Sequence, residues 1–309
     1  MQAKPEAGHL EFALELAPLY LELLDSLPDG VWFADQQGIV RFWSKRAEAI
    51  TGFTAKEVVG SAFSDILSYC GETGETGASI PMRETLDDTL ERQAHMFLLH
   101  KHGHRIAVEV ETMPVRSETG EMIGAREVLR ESKDVAGLVR RGRVLNQHGL
   151  WDAKIESASH EYMSMQLELR LEHFRQDGIP AGALFIAIDH LGDRDRHLGR
   201  EARDQLLRMV NRTTLLCIRF TDIAGHWEND SVLAIMEAAA IDNLRIAAER
   251  IRALIAASRI RWWGEEVQVT VTIGCTLFQA GDTATLVTER LTNSVQAGSK
   301  AGGHRVLVA

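Results

Sequence analysis

The chain has 309 residues, 45% of them apolar and 25% charged, with a net charge of −10. That is length enough for two hydrophobic cores and too much apolar content for extensive disorder. No Lys/Arg run exceeds a pair, which excludes recognition of nucleic acid or an anionic membrane by bulk charge. No apolar run approaches the ~18 residues that cross a bilayer, and the acidic, helix-patterned N-terminus does not fit a signal peptide. Cys70, Cys217 and Cys275 are odd in number and lack a CxxC spacing, so they read as buried free thiols. A cytoplasmic protein without a membrane or nucleic-acid partner is expected.

Residues 10–27 repeat Leu and Phe at helical spacing until Pro28-Asp29-Gly30 breaks the pattern. The period then drops to two. Val31–Ala34 and Ile39–Trp43 read as strands about the turn Asp35-Gln36-Gln37-Gly38. Short helices follow, with Thr54 and Glu57 spaced as a capping box. A Gly/Thr-rich loop covers 69–79, and a polar helix is predicted over Arg83–Gln93. Three strands come next, 94–101, 105–115 and 122–129, joined at His102-Gly103 and Glu118-Thr119-Gly120. Ile106, Val108 and Val110 alternate with Ala107, Glu109 and Glu111, which predicts one buried and one wet sheet face. In 132–150, Val135, Leu138, Val139 and Leu145 form one apolar stripe.

From Trp151 onward helix and strand alternate, as in an α/β sandwich. Helices are predicted over Ala158–Gln176, Ala202–Cys217, Ile241–Ser258 and Thr285–Ala297. Ala183–Ile188 is a continuous apolar run, which marks a central strand covered on both faces. Ile223–Trp227 and Val232–Met236 read as a hairpin closed by Glu228-Asn229-Asp230, since Asn and Asp tolerate left-handed backbone. Val267–Leu277 alternates as one strand.

Two resemblances attach to these patterns. The stretch WSKRAEAITGFTAKEVVG, within the strand and helix order of residues 22–131, resembles the PAS family, with Ser44 where Asn is usual. A PAS domain implies a sensor. The ligand stays open between a small apolar molecule in the cavity, a haem taking His95 or His100, and no ligand with a dimerising role. The hairpin Gly225-His226-Trp227-Glu228-Asn229-Asp230-Ser231-Val232 resembles the signature of the GGDEF (diguanylate cyclase) family. VTVTIG and Ala301–Val306 are similar to later motifs of that family, over about 150–309. The expected fold class is therefore a two-domain α+β and α/β chain. Its segments are an N-terminal helix (1–21), a PAS antiparallel-sheet domain (22–131), a helical signalling linker (132–150) and a GGDEF-like, nucleotidyl cyclase-like α/β sandwich (151–309).

The cyclase resemblance implies carboxylates that hold divalent metals, a cation on the triphosphate and glycines beside the nucleotide. Matched position by position, it puts Ala187 in place of a metal-binding Asp, Gly192 in place of a phosphate-side Lys, and Asp195 in place of a guanine-reading Asn. Asp204 is kept as the second guanine reader. Glu228 and Asn229 replace the signature glycines, with Glu228 expected to face and repel the triphosphate. Asp230 keeps a metal-ligand place, Ser231 replaces an acid, and Ser299 replaces a phosphate-steadying Lys. The expectation drawn from these replacements is a degenerate domain that is not an enzyme. One rival is weak GTP chemistry through Asp189, Asp204 and Asp230, and another is a PAS-governed dimerisation scaffold.

Arg219-Phe220-Thr221-Asp222 matches the R-x-x-D of the family's inhibitory product site, and Arg250 matches its helix arginine. The expected output is binding, of cyclic di-GMP at Arg219, Asp222 and Arg250 or of a protein partner, by a homodimer paired through 132–150. Arg194, Arg196, Arg200 and Arg203 are interleaved with acids and read as a self-paired solvated face.

Overall fold

A computed structural model describes residues 19, 21–71, 73–74, 80–132, 135–228 and 231–309, without the side chains of 135–140 and 192–198. By packing, the chain divides into two compact units. One comprises 1–68, 79–95 and 108–131, and the other 69–78, 96–107 and 132–309.

The first unit carries most of an antiparallel sheet. The strands of this sheet are β1 (Gly30–Asp35), β2 (Val40–Trp43), β3 (Tyr69–Cys70), β4 (Arg92–Leu99), β5 (Arg105–Arg116) and β6 (Met122–Glu131), in the order β2-β1-β6-β5-β4-β3. Strand β3 and the facing ends of β4 and β5 belong to the second unit. The Asp35 turn forms as the sequence predicts, because the Asp35 carboxylate accepts from the N–H groups of Gln37 at 3.0 Å and Ile39 at 2.9 Å. Ser44 caps helix α1 (Lys45–Thr51). Its hydroxyl accepts from Ala47 N and also from Val31 N, which ties strand to helix. In α2 (Ala55–Val58), Glu57 reaches back to the Thr54 N–H at 2.9 Å, the expected half of a capping box.

The polar helix α3 begins earlier and ends sooner than predicted, at Pro81–Asp88. Proline suits the first turn, and Thr89 stops the helix in the left-handed conformation at φ 63°. The interior of this unit contains Trp32, Phe63 and Met82, all essentially unexposed. There the Glu127 carboxylate accepts from Trp32 Nε1 and Thr112 Oγ1, each at 3.0 Å. His95 is exposed on β4, and His100 stacks on His104 with ring centroids 4.4 Å apart.

The second unit is an α/β sandwich. After helix α4 (Val135–Gln147) come β7 (Trp151–Asp152), β8 (Ser157–Ala158), α5 (His160–Asp177), β9 (Ala181–Ile188) and α6 (Leu191–Cys217). Then follow β10 (Ile223–His226), β11 (Ser231–Glu237), α7 (Ile241–Ala256), β12 (Ile260–Trp262), β13 (Glu265–Val267), β14 (Val271–Leu277), α8 (Ala284–Lys300) and β15 (Val306–Val308). Seven strands pair in the order β15-β14-β9-β11-β10-β8-β7. Central β9 sends Leu184, Ile186 and Ile188 into the core cluster shared with α6 and α7, and Ala183 and Phe185 into the one shared with α5 and α8. That two-sided burial is what its unbroken apolar run requires.

Three details differ from the sequence reading. The strand predicted over 267–277 is two strands, since β13 turns back on β12 as a separate hairpin. Helix α6 starts eleven residues early, across a break at Gly199 (φ 78°). Leu145 is 6% exposed and packs in its own domain's core, so it is not part of a stripe offered to a second copy. Val135, Leu138 and Val139 lie outside the described side chains. All three cysteines are free and buried, and no helix among the described residues is long and apolar enough to cross a membrane.

Candidate functional site

The hairpin forms where the sequence places it. β10 and β11 pair from Ile223↔Ile235 to His226↔Val232, and Trp227 N donates to Ser231 O at 2.9 Å to close the turn. Gly225 is needed for close approach, since a Cβ there would lie 2.7 Å from Met163 Cγ and 2.8 Å from Ala158 O. Asn229 and Asp230 lie outside the described residues. The Glu228 side chain is 70% exposed, with its carboxylate 4.0 Å from His160 Nε2. An exposed carboxylate beside an imidazole repels an incoming phosphate far less than a desolvated one would. Ser231 is buried and donates to Glu228 O at 2.6 Å.

Ser231, Ala187 and Thr272 lie side by side across β11, β9 and β14. Two residues beyond Ala187, Asp189 is 6% exposed. It accepts from Thr272 Oγ1 at 2.6 Å, Thr270 Oγ1 at 2.8 Å and the His304 N–H at 2.8 Å. Three charge-assisted bonds hold this carboxylate to β14 and to the segment before β15. Its lone pairs serve the fold. Gly192 and Asp195 sit at the start of α6 with their side chains outside the described ones, and Asp204 is half-buried further along that helix. Ser299 is exposed in the last turn of α8, where Lys300 follows it as an exposed cation. Among the described residues no three His, Cys, Asp or Glu side chains gather as a metal set. The Asp189 oxygens are thus taken up by the fold, and no step is derived through the divalent metals the family implies.

The R-x-x-D segment is organised differently. Asp222 is 2% exposed, and its oxygens accept from Arg219 N at 2.8 Å and Glu237 N at 3.3 Å. Burial pushes its carboxyl above the ordinary value, against the pull of those two N–H groups. Asp222 thus shapes the loop from within, while Arg219 is exposed at its start. Arg219 and Arg250 line one cleft of about 160 Å³ with Glu237, Asn243 and the apolar Ile246. Arg250 donates to Cys217 O, and its buried Nε has no partner among the described residues. The structure brings the two arginines together and turns the Asp222 carboxylate inward.

Two further arginines hold this loop, and the sequence reading passed over both. Arg141, on α4, donates to Phe220 O at 2.8 Å and Asp222 O at 3.3 Å, with its guanidinium 4.9 Å from the centre of the Phe220 ring. Arg170, on α5, donates to Thr221 O at 3.0 Å and to the Glu237 carboxylate at 2.6 Å. Neither belongs to a motif. Arg200 is exposed and Arg203 half-buried, while the Arg194 and Arg196 side chains lie outside those described.

A PAS-fold family model matches residues 19–130, and the family described as diguanylate cyclase, GGDEF domain, matches 153–304. The chain is 23% identical over 256 residues to "Probable diguanylate cyclase DgcE" of Escherichia coli, covering 82% of this chain and 23% of that protein. It is 24% identical over 163 residues to diguanylate cyclase DgcP of Pseudomonas aeruginosa, covering 53% of this chain and 24% of that one. The chain thus spans about a quarter of the length of these curated relatives.

Among solved structures, diguanylate cyclase SiaD of P. aeruginosa, in complex with its activator SiaC, superposes with a TM-score of 0.51 at 17% identity, over 56% of this chain and 66% of that one. The coiled coil and GGDEF domain of DgcB from Caulobacter crescentus, in complex with c-di-GMP, gives 0.50 at 18%, over 57% and 94%. At these identities the likeness shows the fold. These matches overturn the expectation that the chain is not an enzyme. The family model and both relatives' names point to one. The physical fault lay in scoring loss letter by letter, with Glu228 charged for the full repulsion of a desolvated carboxylate when its side chain is 70% exposed.

Proposed function

Because the chain joins a PAS fold to a diguanylate cyclase GGDEF domain, we propose that it is a cytoplasmic, PAS-governed signalling protein of cyclic di-GMP metabolism. Its C-terminal domain takes GTP as substrate class and recognises cyclic di-GMP at the cleft between Arg219 and Arg250. The observation that carries this reading is the pairing of the two guanidinium groups on one cleft, with the Arg250 Nε buried and without a partner among the described residues. Buried N–H groups without partners are rare, and a ligand is one physical reason to keep one. Guanidinium forks suit both phosphate oxygens and the acceptor edge of guanine. In this reading Asp222 and Arg170 set the loop's shape and touch no ligand. The protein works as a homodimer, and the exposed Phe220 beside the cleft is available to a protein partner.

Calorimetry on the full chain with cyclic di-GMP and GTP, side by side, tests the proposal. Saturable cyclic di-GMP binding that disappears in Arg219→Ala and Arg250→Ala supports it. Binding of GTP alone would leave an enzyme without the product site, and binding of neither would leave a PAS-governed dimerisation scaffold.

A further inference from the structure

The second unit holds a basic pocket that the reading above does not use. The turn between β4 and β5 gathers three imidazoles. His100 and His104 stack with centroids 4.4 Å apart, His102 stands edge-on 5.0 Å from His100, and the His102 N–H donates to His100 Nδ1 at 3.0 Å. The turn is locked in place. Arg105, 1% exposed, donates to Ala257 O at 2.7 Å, and Arg259 N donates to Gly103 O at 3.2 Å. Gly103 has φ +89°, and a Cβ there would stand 2.2 Å from Arg259 O, so no other residue fits.

Against this turn, α6 presents Arg208 and Arg212, and β12 presents Arg261. Together they enclose about 320 Å³, lined by Lys101, His102, His104, Arg208, Arg212 and Arg261. Among the described residues Glu156 bonds Arg212 and lies 3.7 Å from Arg208 Nε, and Arg208 also donates to Lys154 O. Among the described residues the guanidinium groups of Arg208, Arg212 and Arg261 thus stand about Glu156, in a chain whose net charge is −10. Such crowding raises the energy of the empty pocket and favours an anion within it. His104 adds a second, independent observation. It is 6% exposed, and its Nδ1 is buried with no partner among the described residues. A metal does not explain the cluster, because the rings stack instead of converging and the described residues make no three-donor metal set.

We propose that this pocket is a binding site for a small phosphate-class oxyanion, gripped by Arg212 and Arg208 and hydrogen-bonded by His104. Arg261 stands at its exposed rim. The electrostatics agree. Burial, then the neighbouring cations, pushes His100 down to about 3 and lowers His102 and His104, with Arg212 acting on all three. These imidazoles are neutral near pH 7 when the pocket is empty. A bound anion offsets part of the field that Arg212 exerts on all three rings. None of this depends on the cyclic di-GMP reading, and its outcome is separate from that at Arg219 and Arg250.

The test is calorimetry of the full chain with inorganic phosphate, pyrophosphate and GTP at matched ionic strength and pH. The expected result is saturable phosphate and pyrophosphate binding, at least about tenfold weaker in Arg212→Gln. Arg261→Gln, at an exposed position that leaves the fold intact, should weaken it about threefold and decides the matter if the Arg212 variant does not fold. GTP binding that falls in parallel identifies the phosphoryl end of a nucleotide as ligand. GTP indifferent to Arg261→Gln, with phosphate still sensitive, identifies the free anion. No saturable binding of phosphate or pyrophosphate, or affinities unmoved in both variants, overturns the proposal.

Discussion

The C-terminal domain contains two polar places that each keep a buried aspartate and differ in what their side chains are free to do. At the end of β9, the Asp189 carboxylate is bound by Thr270, Thr272 and the His304 N–H, and between it and Ser231 stands the methyl of Ala187. At the R-x-x-D loop the carboxylate, Asp222, is also turned inward, yet two guanidinium groups remain on a shared cleft. A retained letter is therefore a poor guide to a retained function. What matters is whether the polar atom's bonding capacity is already used by the fold.

Several experiments would break or sharpen that contrast. The largest effect is expected at Ala187. If the row Ser231–Ala187–Thr272 is the seat of phosphoryl transfer, Ala187→Asp should raise cyclic di-GMP formation from GTP about 10²-fold over the native chain. Equal rates by chromatography would place the chemistry elsewhere. Next come the cleft arginines. Removing either Arg219 or Arg250 should cost on the order of 1.5–3 kcal/mol of cyclic di-GMP affinity, about 10- to 150-fold. Unchanged titrations in both variants would remove the cleft as a product site.

Asp189→Asn should cost about 2–3 kcal/mol of stability without any ligand present, because an amide cannot accept from all three donors. A urea midpoint equal to that of the native chain would show those bonds to be dispensable. The smallest effect concerns Asp222. Burial raises its folded-state value above the ordinary 3.8, so the unfolded chain loses that proton first as pH rises. Its contribution to stability is present below that value and is lost as pH climbs through the raised one. Asp222→Asn should flatten this part of the melting-temperature profile, and a slope left as steep would assign the dependence to other groups.

The architecture was readable because its signals are local and repeated. The unbroken Ala183–Ile188 run, the alternation of β5 and the Thr54/Glu57 pair each act through neighbours in sequence, and each forms as expected. The division of 267–277 was not readable, since alternation continues through 268–270 where the chain leaves the sheet. Nor was the orientation of Asp222. An R-x-x-D reads the same whether its carboxylate meets a ligand or the N–H of Glu237, a partner fifteen residues away on another strand. The basic pocket was least legible of all. Lys101, Arg208, Arg212 and Arg261 come from three distant segments, and each alone is an ordinary surface cation.

The grip of Arg141 on the carbonyls of Phe220 and Asp222 has a mechanical consequence. Arg141 projects from a helix, so its angular position is locked to the phase of everything upstream on that helix. Each residue added to α4 ahead of it turns that position by about 100° and advances it by about 1.5 Å. Seven added residues nearly restore the phase, whereas four leave it roughly 40° off. The loop beside the cleft is thus held in register with the rotation of α4 and not merely tethered by it.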